Sequence, residues 1–197
     1  MQRIRTRNGT SRSRERVAGC VLSMLFFLTL PGKLPANSAA EEYSVKAAFL
    51  FHFAQFVEWP EETFKDANSP LTYCAVGNDP FQGSLDTILS GKTIGTRSFR
   101  VLHFQQPQEI QGCQVLFIGA GEKKRLPEIL AKTKANSVLT VGESEHFAQE
   151  GGMIGFVLEE NKIRFEINVE TAQKAKLKIS SRLLALAKNV IGWQRGN

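Results

Sequence analysis

The three histidines are the first residues to test for chemistry, because imidazole serves as a metal ligand and as a general base near neutral pH. They are His52, His103 and His146. None has a second histidine, cysteine, aspartate or glutamate at a spacing typical of a zinc site. The segment Gly142-Glu143-Ser144-Glu145-His146 lacks the glycine that a nucleophile elbow needs after its serine. The sequence therefore predicts no catalytic residues, no metal and no cofactor, and a protein that is not an enzyme.

Three loops rich in glycine and polar residues are the other place where chemistry could lie. They are Gly77-Asn78-Asp79, Gly119-Ala120-Gly121 and Gly142-Glu143-Ser144, and each follows a predicted strand. If these strands are parallel, the loops share one edge of the sheet, where open α/β sheets bind ligands at helix N-termini. One interpretation is a small-molecule site formed by Gly77, Asn78, Asp79, Gly119, Gly121, Gly142, Glu143 and Ser144. The alternative is that the loops simply connect strands to helices.

The first 40 residues have the composition of a secretory signal peptide. Six arginines and one acid precede an apolar run at residues 21–30, and small residues follow at 38–40. The apolar run is about half of the roughly 20 residues that a membrane-spanning helix needs. An uncleaved membrane anchor is the alternative. We expect cleavage near Ala40, which would leave residues 41–197 as a single periplasmic α/β domain.

Removal of this segment would also remove the surplus of positive charge. The whole chain has 25 basic and 19 acidic residues. The segment holds seven of the basic residues and one of the acidic residues, so 18 of each would remain. A surface that follows nucleic-acid phosphates needs an excess of lysine and arginine on one face. The sequence therefore does not predict a nucleic-acid partner. In an oxidising compartment, Cys74 and Cys113 favour a disulfide over the alternative of two reduced core cysteines.

The hydrophobic pattern predicts alternating helices and strands in the first two thirds of the domain. We expect strands at residues 71–76, 97–104, 115–118 and 138–141. Helices are expected at 44–57, 81–89 and 123–132, with a short one near 145–149. A fully apolar strand at 115–118 is typical of a strand buried on both faces.

The C-terminal third follows a different pattern. Residues 153–159 and 162–168 suggest a hairpin around Glu160-Asn161. Asn168 can cap a short helix at 169–175, and Ser180 or Ser181 can cap a final helix that extends to Ile191. Together these elements predict an α/β fold with a mainly parallel central sheet, helices on both faces and an antiparallel hairpin near the C-terminal end.

Four blocks of sequence resemble the YfiR family of exported bacterial proteins. The first is Tyr43-Ser44-Val45-Lys46-Ala47-Ala48-Phe49-Leu50, followed by Val57-Glu58-Trp59-Pro60. The others are Gly142-Glu143-Ser144 with Gly151-Gly152-Met153-Ile154, then Arg164-Phe165-Glu166-Ile167-Asn168, and Leu177-Lys178-Ile179-Ser180-Ser181 with Leu183-Leu184. In this order they cover nearly all of the chain after the leader.

The resemblance implies a periplasmic repressor that works by binding. Its expected partner is the periplasmic sensor region of an inner-membrane diguanylate cyclase or a similar receptor, whose release raises cyclic di-GMP and promotes biofilm formation. An outer-membrane lipoprotein that sequesters the repressor and a homodimer are further implied partners. Cys74 and Cys113 correspond to one family disulfide, whereas a second family pair is absent here, which puts redox control in doubt.

Candidate contacts with such a partner are Phe51, Ile154, Phe156, Glu166 and Asn168. Phe51 lies within the polar stripe of the first predicted helix, where a large aromatic residue suggests a contact site; packing under a neighbouring loop is the alternative. For Ile154 and Phe156, the alternative is that they belong to the hydrophobic core and do not contact a partner. The competing function is a periplasmic small-molecule receptor that uses the three glycine loops.

Overall fold

We describe a computed structural model of the chain over residues 36–134 and 136–192. The predicted signal peptide lies outside these residues except for 36–40, which form the start of the first helix. In the described part of the chain, every helix is too short or too polar to cross a bilayer.

A seven-stranded sheet forms the centre of the fold, with the order β3-β2-β4-β5-β6-β7-β9. Its strands are β2 (Leu71–Val76), β3 (Phe99–Phe104), β4 (Val115–Ile118), β5 (Leu139–Gly142), β6 (Ile154–Glu159), β7 (Lys162–Asn168) and β9 (Asn189–Ile191). Neighbouring strands are parallel except for the β6–β7 hairpin. A separate antiparallel pair joins β1 (Val57–Glu58) and β8 (Lys178–Ile179). The mainly parallel sheet with a late hairpin confirms the predicted fold class.

The helices cover both faces of this sheet. They are α1 (Ala36–Gln55), α2 (Ser84–Leu89), α3 (Leu126–Thr133), α4 (Val169–Lys174) and α5 (Ser181–Leu186). Side chains alternate along a strand, so Tyr73 of β2 packs in the cluster with α1 and α2, whereas Cys74 packs in the cluster with α3. Both faces of β2 and β4 are therefore buried, which explains the fully apolar sequence of β4 and the largely apolar sequence of β2.

The hairpin forms where the sequence predicts it. Glu160 and Asn161 connect β6 and β7, and both have positive φ, +49° and +59°. Two-residue hairpin turns of this kind match the twist of the strands. Asn168 caps α4 as predicted, because its side chain accepts a hydrogen bond from the Thr171 amide.

Two predicted helices are wrong. The final helix ends at Leu186, and residues 189–191 form β9, which pairs with the outer edge of β7. β-branched Val190 and Ile191 favour a strand when an open edge offers backbone partners. The segment 145–149 forms turns, because His146 has a φ of +62° and Phe147 turns inward to a buried position. The first helix also begins earlier than predicted, at Ala36.

Candidate functional site

The three glycine loops come together at one edge of the sheet, as expected from parallel strands. β4 lies between β2 and β5, and all three run in the same direction. The Ala120 amide of the second loop donates to Glu143 Oε1 of the third loop over 3.1 Å. The loops are thus neighbours at the carboxyl edge of the sheet, where α/β proteins bind ligands.

The protein's own side chains fill much of the space that these glycines leave open. Gly77 has a φ of +86°, and the carboxylate of buried Glu122 occupies the place that a Cβ would take. The ring of Phe147 occupies the corresponding space at Gly142 and at Gly152. These glycines therefore allow close internal packing, which is the structural role that a tight strand-to-helix connection requires.

The remaining predicted loop residues differ in their surroundings. Asn78 and Gly121 are exposed. Asp79 accepts a hydrogen bond from the Phe81 amide over 2.9 Å, as in a local Asx turn. Ser144 is buried, and its hydroxyl has no hydrogen-bond partner within the described residues. Among the predicted loop side chains, Glu143 has the most extensive contacts.

Glu143 is the centre of a buried ionic cluster. Its carboxylate accepts hydrogen bonds from the Tyr43 hydroxyl at 2.9 Å and from Lys46 Nζ at 2.5 Å, in addition to the Ala120 amide. The side chains of Lys46 and Glu143 are only 7% and 9% exposed. Glu42 supplies a second carboxylate 2.5 Å from Lys46 Nζ. Because burial of an unpaired charge is costly, each member of this cluster depends on the others.

Helix α1 positions the basic side of the cluster. Tyr43 and Lys46 are three residues apart, which places them on the same face of a helix. Lys46 Nζ lies 4.5 Å from the centre of the Tyr43 ring, within cation–π distance. Burial, followed by the neighbouring Glu143 carboxylate, raises the pKa of Tyr43 above its usual value. Tyr43 therefore acts as a hydrogen-bond donor to Glu143, and the cluster fixes α1 against the loops.

A cavity of about 270 Å³ lies beside this ionic cluster. One side is charged, with Glu42, Lys46 and Glu143, and the other is apolar, with Leu158 and Ile163 at the hairpin. Leu158 is 65% exposed, which is high for a leucine. Sequence reasoning missed both the cluster and Leu158. The spacing of Tyr43 and Lys46, and a leucine beside the Glu160-Asn161 turn, are the signals that could have indicated them.

Two of the predicted partner contacts belong to the core. Ile154 is fully buried, and Phe156 is 4% exposed. The Phe156 ring centre lies 6.0 Å from that of Phe49 and 5.7 Å from that of Phe53, because α1 covers this face of β6. Ile154 packs in the core cluster with α1, and Phe156 also lines the cavity beside Glu42 and Lys46.

The other predicted contacts do not share one surface. Phe51 is half-buried, with its ring 5.7 Å from that of Phe99 and Lys92 Nζ 4.6 Å above it. Glu166 alternates with the buried Phe165 along β7, so it points to the opposite face, where Gln149 donates to it. Phe51 and Glu166 both remain accessible. They lie on opposite faces of the sheet, so one compact partner site cannot include both.

Asn168 has a structural role that a substitution can measure. Its Nδ2 donates to the Ala148 carbonyl over 2.8 Å while its Oδ1 caps α4. We expect Asn168→Ala to lower the free energy of unfolding by about 2 kcal/mol, since it removes a helix cap and a buried hydrogen bond. Urea denaturation measures this loss. Glu166→Ala is the matched control on β7, with an expected change within about 0.5 kcal/mol; equal effects would contradict the structural role.

The disulfide and the histidines complete the description of the predicted chemistry. Cys74 of β2 and Cys113, just before β4, form a disulfide with a Cα–Cα distance of 5.8 Å. The histidines lie apart: His52 contacts Gln55, His103 lies 3.8 Å from Asp79, and His146 lies beside Glu145. Across the described residues, no group of three or more histidine, cysteine, aspartate or glutamate side chains could hold a metal ion.

Comparisons with solved structures give the fold alone. A conserved domain protein from Vibrio cholerae matches with a TM-score of 0.50 and 10% identity, over 75% of this chain and 60% of that one. The ABC domain in complex with L-Trp from Streptococcus pneumoniae matches with a TM-score of 0.46 and 11% identity, over 61% of this chain and 55% of that one. The chain thus spans less than two thirds of either protein. A search of curated proteins finds no match.

The comparison with protein families is more specific. The sequence profile of the YfiR/HmsC-like family matches residues 43–188, which is well over half of the chain. This range includes every strand of the sheet except β9, together with the Tyr43–Lys46–Glu143 cluster and the Cys74–Cys113 pair. Proteins of this family are periplasmic and regulatory rather than catalytic. The chain belongs to the YfiR/HmsC-like family.

Proposed function

We propose that this protein is an exported periplasmic regulator that binds the periplasmic sensor region of an inner-membrane diguanylate cyclase and represses it. Membership of the YfiR/HmsC-like family is the observation that carries this proposal. A repressor of this kind needs a stable binding surface and no reaction centre. The predicted leader at residues 1–40 supplies the export that the proposal requires.

An apolar patch at the hairpin supports a binding role. We define the hairpin patch as Val45, Leu158 and Ile163. Val45 is 45% exposed and Leu158 is 65% exposed, and Leu158 is directly opposite Ile163 across the hairpin. Val45 lies next to Lys46 and one helical turn before Phe49, which packs on Phe156 and Phe165 of the same two strands. Exposed leucine and valine side chains grouped in this way are typical of a protein contact site.

The ionic cluster gives this patch a fixed shape. Glu42 and Lys46 line the same cavity as Leu158 and Ile163. Because Glu143 holds Lys46 and Tyr43, the middle of α1 is fixed relative to the loop after β5. A partner that binds here would meet a surface that is already ordered, which lowers the entropic cost of association.

A charge substitution in the hairpin patch tests the proposal. We expect Leu158→Glu to weaken binding to the periplasmic region of a diguanylate cyclase encoded nearby by about tenfold or more, since central apolar contacts dominate interfaces. Isothermal titration calorimetry measures the affinity, and cellular cyclic di-GMP measures repression. Leu186→Glu is the matched control, because Leu186 on α5 is equally exposed at 65% but does not line the cavity beside the ionic cluster.

Two outcomes would contradict the proposal. The first is that the unmodified protein does not bind the cyclase region and that deletion of its gene does not change the cellular level of cyclic di-GMP. Alternatively, Leu158→Glu and Leu186→Glu would bind equally well, which would exclude the hairpin patch. The implied lipoprotein partner and homodimer remain predictions.

The alternative function, a small-molecule receptor at the glycine loops, has less support. Glu122 and Phe147 occupy the space beside Gly77 and Gly142, and α1 is bound to Glu143 at the same edge. A ligand would have to use the smaller cavity beside the cluster. A thermal-shift screen with amino acids and nucleotides tests this alternative, and a flat response would exclude it.

A further inference from the structure

A second and larger cavity lies at the opposite, amino edge of the parallel strands. Its volume is about 520 Å³, within the range of small-molecule sites. Its walls come from the segment before β4, the segment between α3 and β5, and the end of α4. Four lysines line it, Lys132, Lys134, Lys174 and Lys176, together with one acid, Glu62. We call this the lysine cavity.

Nearby carboxylates compensate only part of this positive charge. Lys176 Nζ lies 3.5 Å from Glu62, and Lys174 Nζ lies 2.6 Å from Glu170. Both pairs are mostly exposed to solvent, so each contributes little. Within the described residues, Lys132 and Lys134 have no carboxylate at ion-pair distance. Even with both acids counted, the cavity carries a net charge of +2.

The helix ends explain only two of these lysines. Lys132 lies in the last turn of α3 and Lys174 in the last turn of α4, where a cation interacts favourably with the helix dipole. Lys134 and Lys176 follow the helices, yet they line the same cavity. Like charges that share a cavity repel each other, and solvent screens part of this repulsion because all four lysines are exposed. A bound anion would remove this repulsion.

The other polar groups of the cavity suit an oxygen-rich ligand. Gln111, Asn136 and Ser137 line it and can donate hydrogen bonds. Lysine ammonium groups bind phosphate and carboxylate as point charges. We infer that the lysine cavity binds a small ligand with two or more anionic groups, either phosphates or carboxylates. This site is separate from the glycine loops and from the hairpin patch.

Calorimetry and thermal unfolding of the mature protein test this inference. The probes are inorganic pyrophosphate and citrate, each compared with potassium chloride at equal ionic strength. We expect at least one polyanion to bind saturably and to raise the unfolding temperature, because a ligand that binds only the folded state stabilises it. The two probes distinguish phosphate from carboxylate as the preferred chemistry.

Paired substitutions locate the binding. Lys132→Gln with Lys134→Gln is expected to weaken binding about tenfold or more. Without the anion, this variant should unfold at nearly the same temperature as the unmodified protein, since relief of repulsion offsets the loss of the favourable Lys132 interaction with the α3 dipole. The control variant, Lys123→Gln with Lys124→Gln, also removes two positive charges, but at the other edge of the sheet. It should bind the polyanion as tightly as the unmodified protein does. No saturable binding, or equal binding by both variants, would overturn the inference and would leave the proposed repressor function unaffected.

Discussion

Replacement of Glu143 by alanine is expected to lower the free energy of unfolding by about 3 kcal/mol, because it leaves Lys46 buried without its main partner. The Lys46 side chain is 7% exposed, and Glu42, its remaining carboxylate, is 39% exposed and held on the same helix. The Tyr43 hydroxyl and the Ala120 amide lose their acceptor as well. For a chain of this size, the expected fall in unfolding temperature is roughly 6–12 °C.

Thermal and urea denaturation measure this effect, with Glu145→Ala as the matched control. Glu145 is two residues further along the same loop, and its side chain is 79% exposed. Its removal should change stability by about 0.5 kcal/mol or less. Equal losses for the two variants would contradict a structural role for the cluster.

A double variant separates the cost of an unpaired charge from the value of the pair. Lys46→Met with Glu143→Leu replaces the buried ions by apolar side chains of similar size. Such replacements of buried ion pairs are often neutral or stabilising. We therefore expect the double variant to be more stable than Glu143→Ala. If it still binds the cyclase region, the ionic cluster positions α1 without itself contacting the partner.

Loss of the disulfide is expected to cost about 4 kcal/mol, the second large effect. The bridge joins residues 39 positions apart, and the chain-entropy relation for a loop of this length gives this value. Cys74 and Cys113 are 1% and 6% exposed, so their replacement by alanine avoids burial of new polar groups. We expect Cys74→Ala with Cys113→Ala to reduce the urea midpoint accordingly.

Reduction of the unmodified protein provides the control for this variant. Dithiothreitol should destabilise the unmodified protein by a similar amount and should have no effect on the double alanine variant. A loss below about 1 kcal/mol would contradict a stabilising bridge. The buried bridge between β2 and the segment before β4 has a structural role. The second cysteine pair that the family resemblance implies has no counterpart in this sequence.

Local patterns in the sequence determined much of the fold. Residues 71–76 and 115–118 were predicted with the bounds that the structure shows. For residues 115–118 the reason is that a strand buried on both faces needs an unbroken apolar run. The hairpin around Glu160-Asn161 and the Asn168 cap were also predicted, since turns and caps depend on a few adjacent residues. The same local information predicted that three glycine loops meet at one edge of the sheet.

Contacts between distant residues were decided by the tertiary structure. Lys46 and Glu143 are 97 positions apart, and only the packing of α1 on the sheet brings them together. Whether Ile154 and Phe156 face solvent depends on which face of β6 α1 covers. Residues 189–191 satisfy a helical pattern, yet the open edge of β7 makes them a strand.

The sequence by itself indicated the family, because four blocks of residues resemble it. It also determined the mainly parallel sheet with its hairpin, because these depend on short-range hydrophobic periodicity. Only the tertiary structure decided that side chains fill the space beside Gly77 and Gly142, that Leu158 is exposed while Phe156 is buried, and that four lysines share a cavity. These properties depend on distances across the fold, and hydrophobic periodicity carries no information about them.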